Sequence, residues 1–430
     1  MRDLSTSKKS IGEFKERKTC RFCGGGNLAE VLDLGVVPLA GGFLKEKAFL
    51  REKYFPLSLN FCQDCYLVQV SKVVAADTLF RENYFFFSSA IGTLVTHFKD
   101  YAKDVYDQYL NSLPNPSILE IGCNDGVLLR PFAELGIKTI GIDPATNVVE
   151  TIDIPGSIIY NNYFTEQLAT EIITQHGKVD AVVSNFSFAH IDDMDDVVNG
   201  IKVVLKDDGL FIFEIYYLGT LVDEMNYDMI YHEHMSYYSV ITLNKFLKKF
   251  DMEIFDVKNI PGVRTGSVRF FAKNIGQRSE NISIELQNLL KYEMEKGYDK
   301  TDVYKKYSED VNKTRDDIIN LLKKLKSDGK TIIGYGASGR GTIIMNYCGI
   351  DGQYLDYVVD DAPQKWGYFT PGTHVPIKSW DFVKESKFPD YIVLFAWAFA
   401  DEVLKKRKDY IDAGGKFIIP LPEVSVFPNS

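Results

Sequence analysis

Basic charge, cysteine and long apolar runs are all scarce in this chain of 430 residues, and each scarcity narrows what the protein can be. Lysine and arginine number 49 against 59 aspartates and glutamates, a net charge of −10, so no general basic field draws it to a phosphate backbone or an anionic lipid surface. A local basic pocket for one small anion stays open, because the field at a few ångströms depends on neighbouring charges. The greasiest stretch, Tyr391 to Ala400, is far too short to span a bilayer, and the opening MRDLSTSKKSIGEFKERK lacks the apolar segment of a secretory leader. The expectation is a cytoplasmic monomer or small homo-oligomer with no nucleic-acid and no membrane partner. Six cysteines are too few for a disulfide framework, and four of them stand in two CxxC pairs.

What is present is ordinary globular material: 45% hydrophobic and 25% charged residues, in a chain long enough for two to three domains. Residues 1–78 carry the cysteine pairs, glycine clusters and short alternating runs such as PLSLNF, which read as a small module with little core of its own. Over residues 79–275 an aromatic run, a helix and then strands alternating with helices (SILEIG, TIGID, DAVVSN, LFIFEIYY) predict a parallel sheet covered on both faces. Residues 276–430 open with long lysine-rich helices and continue into a second βαβ run through TIIGYG, LDYVVDD, DYIVLFAW and KFIIPLP, with helices over about 339–348, near Trp380 and through Val403 to Ile411. The fold class is therefore α/β: a small N-terminal metal module, one Rossmann-like domain and a second Rossmann-like domain.

Four constellations carry chemistry. Cys20-x-x-Cys23 and Cys62-x-x-Cys65 each put two thiols on one knuckle, and two knuckles close a tetrahedral all-sulfur cage around a single zinc ion. Four thiolates leave no open coordination position, so that metal is structural. The run ILEIGCNDG, residues 118 to 126, is a buried strand leading into a glycine-bracketed turn, and the next strand ends at Asp143, placed to accept an adenosine ribose. Its ExGxxxG spacing favours S-adenosylmethionine over NAD. Tyr231-His-Glu-His234 follows the LFIFEIYY strand, and in an extended strand His232 and His234 would share one face and Tyr231 and Glu233 the other. A complete zinc set elsewhere turns the reading of this segment toward acid/base chemistry, with His190 converging on the same sheet edge. Gly334-Tyr-Gly336-Ala-Ser338-Gly339 has the G-x-G-x-x-G form and a following strand that ends in Asp360-Asp361; alone it reads as an NAD site, and equally as a cradle for a substrate diphosphate.

Together these residues resemble the sugar C-methyltransferases, which methylate thymidine-diphosphate 4-keto sugars at C-3, and the resemblance covers nearly the whole chain. It rests on the cysteine pairs, LEIGCNDG, NFSFAH, YHEH, GYGASGRG, VVDDAPQKWGYFTPGTHVPI and LFAWAF in order. It implies that Tyr231, Glu233, His234 and His190 line the active site, with His234 or Tyr231 as base. S-adenosylmethionine would sit on Glu120, Gly122 and Asp143, with Asn124 and Asn185 beside them. A nucleotide-linked sugar would lie between the middle and C-terminal domains, touching Tyr84, Gly336, Ser338 and Arg340. The family usually has Tyr-x-Tyr before its Ser-Ser pair; here Phe86 replaces the second tyrosine. Two alternatives stay open: methylation on oxygen of a related small molecule, and NAD-dependent oxidoreduction at the C-terminal glycine turn.

Overall fold

The computed structural model describes residues 10–81, 86–260 and 266–428. In the middle of the chain, seven strands lie in the order Met252–Ile260, Ser267–Asn274, Leu205–Tyr216, Val179–Asn185, Ser117–Ile121, Lys138–Ile142, Ile158–Tyr160. The strands are parallel except Ser267–Asn274, which runs against both its neighbours. Ser117–Ile121 and Val179–Asn185 are buried along their whole length, as strands covered on both faces by crossover helices must be. Strand order reverses between these two, and it is at the carboxyl ends of strands beside such a reversal that α/β sheets bind ligands.

The C-terminal sheet repeats the plan in the order Ile377–Lys378, Val358–Val359, Ile332–Tyr335, Tyr391–Leu394, Lys416–Ile419, Ser425–Phe427, with only the last strand antiparallel to its neighbour. Two helices, Ile284–Lys296 and Thr301–Ser327, join the sheets. The first starts at Ser283, whose side chain accepts from the Leu286 N–H, and ends at Gly297 with φ of 75°. The second buries Tyr304, Tyr307, Val311, Thr314, Ile318, Leu322 and Leu325, a stripe at the three-and-four spacing of one helix face. The helix expected through Val403 to Ile411 is two short ones, Ala400–Lys406 and Lys408–Asp412. The break falls at Arg407, whose guanidinium is held by the Tyr335 hydroxyl and the Asp361 carboxylate.

The N-terminal sheet is built on Lys53–Cys62, flanked by Leu28–Pro38 on one edge and by Ser10–Ile11 and Val68–Val70 on the other. Alternation in PLSLNF predicts one wet face, yet both faces of this strand are buried. Leu57, Leu59 and Phe61 pack with Tyr304 and Ile318 of the long helix, while Phe22, Leu67 and the buried cysteines pack with Tyr238 and Phe246 of the middle domain. The module is thus wedged between the two larger units. Its outer strand, Ser236–Tyr237, comes from the middle of the chain and pairs with Val68 and Gln69 just after the YHEH segment. No helix among the described residues is long and apolar enough to cross a membrane.

Candidate active site and zinc centre

Each cysteine pair folds into a tight knuckle with a left-handed residue behind it, Gly24 at φ 71° and Tyr66 at φ 73°. The Gly24 N–H donates to Cys20 O (3.0 Å) and the Tyr66 N–H to Cys62 O (2.8 Å). The turns aim all four thiols at one point: the sulfurs of Cys20, Cys23, Cys62 and Cys65 lie within 4.8 Å of one another, with Cys20–Cys65 at 3.4 Å and Cys23–Cys62 at 3.6 Å. A zinc tetrahedron with Zn–S near 2.3 Å has edges of about 3.8 Å, so the quartet fits the ion. The Phe22 and Gly25 N–H groups point at the Cys20 and Cys23 sulfurs, as donors to thiolates would. The Cys65 thiol, donating to Cys20, pulls the Cys20 thiol down to about 5, whereas burial pushes Cys62 up to about 11, and Cys65 is pushed up first by that same hydrogen bond and then by burial. A dication reverses the two upward shifts and takes all four as thiolates.

At the carboxyl ends of the central strands, Glu120, Asp143 and Asn185 come together as buried polar groups. Gly122 has φ of 76°, and a Cβ there would meet the Ser187 side chain at 2.5 Å, so the first turn packs directly on the turn after Asn185. Asp143 Oδ2 accepts from the Asn124 N–H and Oδ1 from the Ala145 N–H, both at 2.9 Å, each oxygen keeping a lone pair for a ligand hydroxyl. Burial raises the Asp143 carboxyl against those two donors. Loss of water and then the nearby Asp143 push the Glu120 carboxyl well above its usual range. Glu120 Oε2 and both polar atoms of the Asn185 amide are buried without a hydrogen bond of normal geometry among the described residues. Orphaned polar atoms at a switch point are what the polar parts of S-adenosylmethionine would satisfy, so the residues fit that ligand. Asn124 is placed differently from a ligand contact: its side chain accepts from the Ser88 N–H (2.8 Å) and donates to Phe86 O (3.0 Å), tying the 86–89 segment over the turn. Tyr84 lies outside the described residues.

His190 and His234 are brought together as stacked rings, centroids 5.2 Å apart and planes 15° from parallel, by a backbone bond from the Met235 N–H to Ala189 O at 2.8 Å. The YHEH segment is a turn and not the strand that the alternation suggested. The His234 N–H donates to Tyr231 O (2.9 Å), and this closure sets the Tyr231 and His234 rings 3.9 Å apart, because the chain must bend from the Tyr227–Met229 turn into the Ser236–Tyr237 strand. His232 is consequently turned away toward Phe55, where burial drives its imidazole down to about 4, and the two histidines do not share a face. His234 Nδ1 stands 2.8 Å from the Met229 carbonyl. A carbonyl only accepts, so Nδ1 carries the proton and Nε2 presents a lone pair. Loss of water lifts the partly exposed Glu233 to about 7. Sequence reasoning missed Tyr216, whose ring lies 5.1 Å from His234, although its place at the end of a strand in the IYY run marked it.

In the C-terminal unit, Gly336 has φ of 97°, and a Cβ there would lie 2.8 Å from the Ala396 nitrogen. The Ser338 hydroxyl caps the next helix by accepting from the Gly341 N–H at 3.0 Å. Arg340 makes a bidentate pair with Asp228, Nε to Oδ2 at 2.8 Å and Nη2 to Oδ1 at 2.9 Å, while the Trp397 indole N–H donates to the same Oδ2 at 2.8 Å. Asp228, fully buried, immediately precedes Met229, whose carbonyl orients His234. Asp228 and Trp397 are therefore functional candidates absent from the sequence reading; the LFAWAF run held the second of them. At the position where an NAD ribose would be read, Asp361 is engaged by Tyr335, Lys406 and Arg407, and Asp360 by Lys365.

Three family models match in chain order: "Putative zinc binding domain" over residues 20–80, "Methyltransferase domain" over 96–257 and "C-methyltransferase C-terminal domain" over 262–422. The chain is 31% identical over 408 residues to the C-methyltransferase NovU of Streptomyces niveus, which spans 95% of this chain and 96% of that protein. A mitochondrial ubiquinone biosynthesis O-methyltransferase from Bos taurus is 30% identical over 127 residues, 26% of this chain and 34% of its own. Among solved structures, an S-adenosylmethionine-dependent methyltransferase from Clostridium acetobutylicum matches with TM-score 0.32 and 15% identity over 42% of this chain and 91% of its own.

Proposed function

The chain belongs to the C-methyltransferase family and is an S-adenosylmethionine-dependent enzyme with a zinc-binding domain, and from that premise we propose that it methylates a nucleotide-diphosphate-linked keto sugar on the carbon beside its carbonyl. The observation that carries the acid/base part is the His234 ring, held by Met229 O with its proton on Nδ1, 3.9 Å from the Tyr231 ring and stacked on the His190 ring at 5.2 Å. The carbonyl acidifies the neighbouring C–H; His234 Nε2 takes that proton, and Tyr231 donates to the enolate oxygen as charge develops there. His190 stacks on His234 and, with Glu233, completes the lining. Bound S-adenosylmethionine supplies an electrophilic methyl group on a sulfonium. Glu120, Asn185 and Asp143 hold the donor over the Gly122 turn, and the fixed separation of two bound reactants supplies much of the acceleration. His234 Nε2 keeps the proton of the broken C–H bond, and the C–CH3 bond would form as the S–CH3 bond of the bound donor breaks, with S-adenosylhomocysteine as the second product.

The pair between Arg340 and Asp228 supports an acceptor that bridges the middle and C-terminal units, since it ties the GYGASGRG turn to the segment entering Tyr231. In this reading the turn at Gly336, with Tyr84, recognises the nucleotide end, Ser338 and Arg340 hold that turn in place by capping its helix and pairing with Asp228, and the sugar reaches the histidines. A cytoplasmic location fits a site that needs four reduced thiols. The test is hydrogen–deuterium exchange at the carbon beside the carbonyl of a thymidine-diphosphate 4-keto sugar, with S-adenosylhomocysteine present so that no methyl transfer occurs. Wild-type protein should wash in deuterium, and His234→Gln should not while still binding S-adenosylhomocysteine. Exchange at the wild-type rate in that variant would refute the assignment of the base.

A further inference from the structure

Arg21 lies between the zinc-ligand cysteines Cys20 and Cys23, yet its guanidinium points inward and the residue is 4% exposed. Nε donates to Asp192 Oδ1 at 2.9 Å, and Nη1 donates to Val70 O at 2.6 Å and to Met235 O at 3.1 Å. Its own backbone N–H donates to Gln69 Oε1 at 3.1 Å. These acceptors are not scattered. Met235 follows His234 and is bonded through its N–H to Ala189 O, the residue before His190; Asp192 follows two residues after His190. Val70, in the strand leaving the second knuckle, donates its N–H to the same Met235 O at 2.9 Å. One buried cation thus grips both segments that set the two histidine rings face to face, from a turn whose shape the four cysteines fix.

We propose that Arg21 is a positioning residue for methyl transfer, through which the zinc knuckles hold His190 and His234 in register. The proposal rests on the reading of His234 as base. It gives the zinc module a task beyond its own folding: the knuckle is the rigid mount, and the guanidinium fork carries its geometry to the histidines. Lysine cannot substitute, because a single ammonium on a flexible stem cannot reach Asp192 and two carbonyls in fixed directions.

The experiment uses the full-length, zinc-loaded protein with Arg21→Lys, and Asp192→Asn as a second variant that keeps shape and removes one acceptor charge. Five quantities are read: zinc per chain, S-adenosylhomocysteine affinity by calorimetry, the imidazole 15N shifts of labelled histidine, and kcat and KM with a thymidine-diphosphate 4-keto sugar. Arg21→Lys should keep its zinc and bind S-adenosylhomocysteine within about twofold of wild type, while kcat falls about 100-fold, the loss typical of a misplacement near 1 Å. KM should change little, and the Nδ1-protonated signature of His234 should shift or broaden; Asp192→Asn should move the same two readouts by less. Wild-type kcat in a zinc-loaded Arg21→Lys protein overturns the proposal. So does a loss of zinc and S-adenosylhomocysteine binding in step with kcat in both variants, which would make Arg21 merely structural. His234→Gln, run beside them, separates the two readings: undiminished exchange there removes the base assignment itself, whereas abolished exchange there with wild-type turnover in both Arg21→Lys and Asp192→Asn removes Arg21 alone.

Discussion

Replacing Arg340 by alanine removes the cation from a carboxylate that has no access to water. Asp228 is fully buried, the Arg340 side chain is 20% exposed, and the two hydrogen bonds between them measure 2.8 and 2.9 Å. Breaking such a pair from one side leaves an uncompensated buried charge, at a cost of about 3–5 kcal/mol. For a unit of the size of the C-terminal domain this corresponds to a melting temperature lower by roughly 10 °C. Asp228→Asn in the same background removes the stranded charge, so the double variant should recover a good part of the loss. Turnover should fall with stability, because Asp228 is joined to Met229, whose carbonyl holds His234, and should recover with it. Differential scanning calorimetry and steady-state kinetics on wild type, both single variants and the double variant test this. An Arg340→Ala protein with unchanged melting, a raised KM and no compensation by Asp228→Asn would contradict a stranded charge and make Arg340 a direct contact to the substrate.

Three further outcomes follow from other parts of the molecule. Burial lifts the Glu293 carboxyl to about 7 although Tyr217 and the Val240 and Ile241 N–H groups donate to it. Its folded value exceeds the unfolded one, so the stability it contributes is complete below about pH 4.5 and is lost as pH rises through 7, by about 3 kcal/mol in all; urea midpoints of Glu293→Gln should be flatter than wild type across that window, and parallel curves would contradict this. Zinc uptake by the chelated protein should release protons, since Cys62 and Cys65 are held protonated without the ion, and a pH-indicator titration showing none would argue against a four-thiolate site. Asp143→Ala should weaken S-adenosylhomocysteine binding by about 10- to 100-fold in calorimetry, the worth of hydrogen bonds to a charged group; unchanged affinity would move the ribose elsewhere.

What could be read in the sequence was local. Cysteine spacing names a tetrahedral site because each knuckle is a four-residue turn, and the glycine turns declare themselves because φ of 76° at Gly122 and 97° at Gly336 is a one-residue property. Two βαβ runs follow from periodicity, and both sheets formed. What escaped reading depends on contacts between distant segments. YHEH alternates like a strand, but closure between His234 N–H and Tyr231 O, and the bond from Met235 to Ala189, bend it into a turn. PLSLNF alternates like a half-exposed strand, but the long helix covers one face and the 230s segment abuts the other side of its sheet. Ser338, attractive as a ligand contact, is a helix cap, and Arg340, attractive as a phosphate contact, is matched to Asp228 across the domain boundary. Nothing local in DMIYHEH announces that its aspartate holds an arginine from another domain.

The proposed reaction is transfer of a methyl group to carbon beside a carbonyl. Its most direct test is incubation of the protein with S-adenosylmethionine carrying a 13C-methyl group and a thymidine-diphosphate 4-keto sugar deuterated next to the carbonyl, followed by NMR of the product. Carbon methylation yields a 13C-methyl bonded to the adjacent carbon with the deuterium gone. A 13C-methyl on oxygen, or on carbon with the deuterium retained beside the carbonyl, would contradict it.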